Sequence, residues 1–303
     1  MNHSNWEKWK AQCLSNKIFD IVNLIFTCSV FFICLYPLYY IVLISFSKEI
    51  VGTYLYPNGV SFEGYKMIFK NSDVWLGYVN TIINTVLSVV CGLAVTLPCA
   101  YALSRKDFEG RRLILTFFMV TMYISGGLIP GYLNIYNLGL INSRWAIILN
   151  ALCSTYNIIV ARTFFSSTIP DELLEAAKMD GCGNGRFFLT IVMPLSKPIT
   201  AVLALYIGVA RWNSYFSEMI YLRDTELSPL TLVLRRLLWS VKEMQNMIDA
   251  GEIENVSDAL TKIRFATSMQ YALIVISTLP MMIIYPFIQK YFAKGVMIGS
   301  VKG

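Results

Sequence analysis

Few side chains in this sequence are equipped for chemistry. The only histidine is His3, in a polar leader, which removes paired-histidine metal sites, Ser/His/Asp triads and Cys/His dyads. The cysteines are Cys13, Cys28, Cys34, Cys91, Cys99, Cys153 and Cys182; five lie inside apolar runs and none has a CxxC-type spacing, so they read as small buried hydrophobes. No GxxxxGK[ST] sequence is present, so the chain cannot hydrolyse ATP by the usual P-loop arrangement. Polar recognition remains. Arg211, Tyr215 and Glu218 are spaced i, i+4, i+7 and would share one helix face, with Trp212 able to stack on a flat ligand face and Asn213 offering donors and acceptors. The same Arg211 and Glu218 equally suit a structural ion pair. Asn80 with Asn84, Asn150 with Ser154, and Cys153 with Asn157 are one helical turn apart. Such amides either bind ligand hydroxyls or join helices, and joining is the commoner use.

The elements that would hold these groups are membrane spans. Of 303 residues, 56% are hydrophobic and 15% charged, which excludes an ordinary soluble enzyme. Apolar runs at 18–46, 75–103, 113–130, 145–165, 199–222 and 266–292 are long enough to cross a bilayer, and backbone satisfaction inside lipid makes them helices. The predicted fold is an all-α integral membrane protein. It has a leader at 1–17, a six-span domain at 18–292 and a tail at 293–303. Pro37, Pro98, Pro280 and Pro286 fall inside spans and can kink them, and Gly126-Gly127 breaks the third.

Basic residues orient the bundle. Arg105, Lys106, Arg111 and Arg112 crowd one short connection, whereas 132–142 has no basic residue. With Lys8, Lys10 and Lys17 before the first span and Lys290, Lys294 and Lys302 at the other end, both termini are expected in the cytoplasm. The net charge of +6 then reflects basic cytoplasmic loops, not nucleic-acid binding. The connection 223–265 is expected outside. It carries Arg235, Arg236 and Lys242 but also Asp249, Glu252, Glu254 and Asp258, so its acidic second half suits either contact with another protein or a solvated loop.

The most informative segment is 166–198, polar and glycine-containing, between the fourth and fifth spans. Thr168 as N-cap, Pro170 at the first helical position, and Asp171 with Glu172 at the positive helix end predict a short helix over 170–179, stopped by Gly181 and Gly183. Leu173, Leu174, Ala177 and Met179 give it apolar surface while Glu175 and Lys178 stay polar. Glu175-Ala176-Ala177, three residues, Gly181, nine residues, Ile191, one residue, Met193-Pro194 resembles the EAA loop of ATP-binding-cassette importer permeases. The one departure is Met193, where that motif usually has leucine, a volume-conserving exchange. Arg211-Trp212-Asn213, Ser125-Gly126-Gly127-Leu128-Ile129-Pro130, Asn137-Leu138-Gly139-Leu140 and the six-span layout extend the resemblance, closest to maltose-type oligosaccharide permeases.

That resemblance implies a type I importer permease working by alternating access. Its coupling helix would seat in a groove of an ATPase subunit through Glu175, Ala176, Ala177, Asp180, Gly181, Ile191 and Pro194. Asn80, Asn84, Asn157, Arg211, Trp212, Asn213, Tyr215 and Glu218 are the candidates for the substrate path. The implied partners are a second, related permease, two ATP-binding cassette subunits, an extracellular solute-binding lipoprotein, carbohydrate and membrane lipid, at a bacterial cell membrane. ATP and Mg would be used by the partner ATPase, with no cofactor on this chain. Two rivals from other classes explain less. An ion-coupled secondary transporter needs midspan carboxylates, but Glu218, the main one, lies near a span end. A membrane enzyme needs a clustered acid/base set. The alternative within the class is a permease for a non-sugar solute.

Overall fold

The computed structural model describes residues 14–49, 55–252 and 255–295. His3, Cys13, Lys8, Lys10, Lys302, Glu254 and most of the predicted leader and tail lie outside those residues. In chain order the elements begin with α1 (Leu14–Ser45), β1 (Ser47–Glu49), β2 (Asn58–Val60) and α2 (Glu63–Lys70). They continue with α3 (Ser72–Ser104), α4 (Arg111–Tyr123), α5 (Leu128–Asn137), α6 (Arg144–Asn150) and α7 (Thr155–Thr168). Then come α8 (Asp171–Met179), α9 (Asn184–Leu195), α10 (Lys197–Trp212), α11 (Phe216–Tyr221), α12 (Leu230–Asp249) and α13 (Val256–Gly295).

Among the described residues, three helices are long and apolar enough to cross a membrane unaided: Asn16–Ser45, Ser72–Ser104 and Val256–Pro286. Three bent pairs also qualify, and counting each as one span gives six. α4 and α5 meet at 115° after Tyr123, where Gly127 takes a φ of +85° that a side chain would oppose, so the predicted break at Gly126-Gly127 is present. α6 and α7 meet at 51° across 151–154, inside the stretch predicted as one helix over 145–165. α9 and α10 meet at 81° at Ser196. The predicted run 199–222 is also discontinuous: α10 stops at Trp212 and α11 restarts at Phe216. Hydropathy does not register such breaks because the intervening residues carry no charge. Pro37, Pro98, Pro280 and Pro286 lie inside helices that continue past them.

The all-α fold class holds, with one small addition, the antiparallel pair β1–β2, in which Ser47 faces Val60 and Glu49 faces Asn58. One further expectation needs correction. The connection 223–265 is mostly helical: α12 fills 230–249, and α13 starts ten residues before the predicted span. Charges at Asp258, Lys262 and Arg264 mask this extension in a hydropathy scan but do not stop a helix.

The chain divides into two compact units, 1–68 with 240–276, and 69–239 with 277–303. In the first, Gly64 lies so close to the Ser268 backbone that an added Cβ would stand 2.6 Å from its carbonyl oxygen. Among the described residues the second includes these apolar clusters. One gathers Leu97, Tyr101, Phe165, Leu174, Phe187 and Leu203 from α3, α7, α8, α9 and α10. Another, towards the opposite end of α3, gathers Ile135, Ala146, Ile147, Ile148, Tyr221 and Leu222 from α5, α6 and α11.

Candidate coupling helix and polar path

α8 forms one residue later than predicted. Pro170 is the N-cap, with φ −65° and ψ 146°, and no side chain caps the helix. Thr168 instead ends α7, and its hydroxyl is buried without a hydrogen-bond partner. Asp171 and Glu172 occupy the first turn and Lys178 the last, which matches the helix dipole. Leu174 and Ala177, three apart, are buried against the first apolar cluster. The opposite side is bare. Glu175 and Ala176 are exposed, Leu173 is 40% exposed and Met179 89%. The four apolar residues expected to act together therefore divide, two holding α8 to its own chain and two facing away.

Gly181 ends α8 in a left-handed turn at φ +73°. Cys182 N–H donates to Ala177 O at 2.8 Å and Gly181 N–H to Lys178 O at 3.0 Å, the two bonds of a Schellman cap. Nothing lies within 4 Å of where its Cβ would be, so the requirement for glycine here is conformational. Asp180, at the C-cap, is exposed. Beyond it, α9 widens into a π-turn over Phe188–Val192, just before Pro194. A proline ring collides with the carbonyl four residues back, and an extra residue in the preceding turn relieves this. Ile191 is half-buried on that turn and Pro194 is exposed.

Two ion-pair groups fasten α8 to the 105–110 turn. Lys106 Nζ lies 2.7 Å from Asp171 Oδ2. Asp107 receives Arg105 through Nε at 3.1 Å and Nη2 at 3.0 Å, and Lys178 Nζ at 3.3 Å. The hydrogen bond from Arg105 is the largest influence holding the Asp107 carboxyl at about 2, below its usual 3.8. The hydrogen bond from Lys106 likewise lowers Asp171.

The expected polar path divides into knots and a cavity. Asn80 Nδ2 donates to the carbonyls of Glu226 and Ser228 at 2.6 and 3.0 Å, and its Oδ1 accepts from Arg144 Nη2 at 2.6 Å. Asn84 Oδ1 accepts from Arg144 Nη1 at 3.2 Å, so both amides join α3, α6 and the 226–228 segment. Arg144 escapes sequence reasoning because it lies one residue outside the predicted span. Its signal is a lone cation where 132–142 has none.

Arg211 and Glu218 do not share a continuous helix face, because 213–215 breaks the helix, yet the break lets them meet. Arg211 Nη1 stands 2.7 Å from Glu218 Oε1, and Nη2 donates to Ile147 O at 2.7 Å. Glu218 Oε2 accepts from Ser214 and Ser217 hydroxyls at 2.8 and 3.2 Å. Trp212, expected to meet a sugar ring, is buried, donates Nε1–H to Ser277 O at 3.0 Å and packs edge-on against Tyr78. Asn213 bonds back to Val209 O, and the exposed Tyr215 ring lies under the Arg235 guanidinium, 5.4 Å away. Asn150 with Ser154 and Cys153 with Asn157 straddle the break between α6 and α7, so neither pair lies on one helix face.

A cavity of about 790 Å³ opens where α3, α7 and α10 face one another, lined by Ser88, Ser154, Tyr156, Asn157, Arg211 and Ser214. The breaks at 151–154 and 213–215 place serines there that a regular helix would turn elsewhere. The Ser88 hydroxyl is buried without a partner, and among the described residues the Asn157 side-chain amide has none. Of the eight candidate path residues, Asn157 and Arg211 line this cavity.

Comparison with known proteins agrees with this arrangement. The family described as "Binding-protein-dependent transport system inner membrane component" matches residues 74–298. The chain is 34% identical over 294 residues to the polygalacturonan/rhamnogalacturonan transport system permease protein YtcP of Bacillus subtilis, covering 96% of this chain and all of that protein. It is 28% identical over 301 residues to the melibiose/raffinose/stachyose import permease protein MelC of the same organism, covering 97% and 99%. A solved chain from a bacterial ABC transporter for import of the acidic polysaccharide alginate superposes with a TM-score of 0.81 at 33% identity, covering 93% and 99%. With a motif-bearing helix seated on the bundle and these matches along nearly its whole length, the chain belongs to the inner membrane component family of binding-protein-dependent ABC transport systems.

Proposed function

We propose that this chain is one of two permeases of an ATP-driven importer that takes an oligosaccharide across a bacterial cell membrane. The observation that carries the proposal is α8, buried through Leu174 and Ala177 and bare through Glu175, Ala176 and Met179. A helix with one face buried in its own bundle and the other presented outward is built to be gripped. The gripping partner is an ATP-binding cassette subunit, two per assembly, which uses ATP and Mg. Asp180, Gly181, Ile191 and Pro194 shape the segment that partner meets.

The sugar passes through the cavity beside Ser88, Asn157 and Arg211, whose donors and acceptors suit hydroxyl recognition. Support for a glycan comes from the polysaccharide and oligosaccharide names of the relatives and of the solved neighbour. A related second permease completes the path. An extracellular solute-binding lipoprotein docks at the end that carries α12. On this reading 18–292 is the permease domain, 1–17 and 293–303 lie in the cytoplasm, and lipid surrounds the apolar outer faces.

The test is purification of the intact assembly from native membrane, followed by mass spectrometry of partner chains and bound solute. Copurification of an ATPase, a second permease and an oligosaccharide is expected. Transport by the chain alone, driven by a proton or sodium gradient without nucleotide, overturns the proposal.

A further inference from the structure

A helix that transmits force must be held at more than one point, since a single attachment allows it to swivel. The burial of Leu174 and Ala177 supplies an apolar seat. Apolar contact is non-directional, however, and leaves α8 free to slide or roll by a fraction of a turn. The charged contacts remove that freedom. Lys106 holds Asp171 in the first turn, and Asp107 holds Lys178 in the last, seven residues and two helical turns further on.

Both anchors come from adjacent residues of one turn, and that turn is itself braced. Arg105 binds Asp107 through two nitrogens, and Arg111 Nη1 donates to Arg105 O at 3.0 Å from the start of α4. From α7, Arg162 Nε donates to Leu103 O at 3.3 Å, near the end of α3. The ion pairs thus join both ends of α8 to the 105–110 connection between α3 and α4.

We propose that Lys106–Asp171 and Arg105–Asp107–Lys178 form a two-point clip that positions α8 and carries movement of the ATPase into α3 and α4, with Lys106, Asp107, Asp171 and Lys178 as positioning residues. Resting on the importer reading above, this assigns a load path that the motif residues do not contain. Exposed ion pairs contribute little to folding, so loss of the clip acts on coupling and not on assembly. The apolar seat persists and keeps α8 in place, but it yields under load before α3 and α4 move.

The experiment uses the complete assembly with its copurifying partners in lipid nanodiscs, in native form and as K106D, D171K and the K106D/D171K exchange. The readouts are the yield of ATPase bound to the permease and ATP turnover. Either single variant keeps the ATPase yield but lowers turnover by about three- to tenfold, and the exchange recovers at least half of the loss. Placing lysine in the first turn of α8 opposes the helix dipole, so rescue by the exchange is incomplete. A neutral K106Q/D171N pair serves as the reference should a reversed single variant fail to assemble; it keeps the ATPase bound and falls below native turnover. Native turnover in the single or neutral variants, or an exchange no better than its worse parent, overturns the clip. Absence of any copurifying ATPase from the native chain instead overturns the importer reading itself, so the two failures are distinct.

Discussion

The Arg211–Glu218 pair provides the sharpest test of how the broken fifth span is held. Their side chains are 6% and 1% exposed, and Glu218 also accepts from Ser214 and Ser217. Glu218→Ala removes all three bonds. It leaves the guanidinium with only the Ile147 carbonyl, its Nε already being without a partner. Removing one member of a buried pair costs about 3–5 kcal/mol. Arg211 lines the cavity, so water re-solvates part of the charge and the lower end, about 3 kcal/mol, applies here. For a chain of 303 residues that corresponds to a fall of about 5 °C in the midpoint of thermal inactivation.

Removing both charges is milder, because no unpaired charge remains: Arg211→Met with Glu218→Leu loses about 1 kcal/mol, a non-additivity of about 2 kcal/mol or more against the summed singles. The assay heats purified protein in nanodiscs and measures the fraction that stays monodisperse on size exclusion. A drop below about 2 °C for Glu218→Ala, or a double variant as damaged as the sum of both singles, refutes the idea that the pair staples α10 to α11 and α6.

Other expectations follow from the same geometry. Asn80→Ala orphans two carbonyls and one arm of Arg144, and costs about 2–3 kcal/mol in the same thermal assay. Gly181→Ala forces a left-handed turn on a residue with a Cβ and costs about 1–2 kcal/mol at the end of α8, with Gly181→Asn milder, read as faster amide hydrogen exchange over 176–182. Gly181→Asp and Glu175→Lys abolish uptake by whole cells while membrane insertion, read by immunoblot of the membrane fraction, is unchanged. The Asp107 carboxyl, held at about 2, lies below its unfolded value, so its contact with Lys178 is fully present above about pH 4 and weakens as pH falls towards 2; the hydrogen bond from Lys106 lowers Asp171 in the same direction, so that contact too is lost only on acidification. After correction for intrinsic rates, hydrogen exchange of α8 accelerates across that window and not between pH 5 and 7. The change is small, because both carboxylates are about half exposed and their pairs are screened.

Much of this protein is determined by its sequence alone. Apolar length decides how many times the chain crosses, because lipid tolerates no unsatisfied backbone, and the six predicted runs each correspond to a long helix or to a broken one. The EAA-type spacing locates α8 to within one residue at its start, because Pro170, the first-turn acids and Gly181 act through bonds to nearby backbone. Local chemistry of this kind is legible in a string. Tertiary structure alone decided what the polar span residues do. Asn80, Asn84, Arg211, Glu218 and Trp212 have the same sequence signature whether they meet a sugar or one another, and only their neighbours in space make them knots within the bundle. The breaks at 151–154 and 213–215 are invisible to hydropathy, yet they open the cavity and bring Arg211 to Glu218. The ion pairs from Lys106 to Asp171 and from Asp107 to Lys178 span 65 and 71 positions, far beyond any helical or turn periodicity. Such contacts depend on how distant segments pack, and packing is a property of the whole chain.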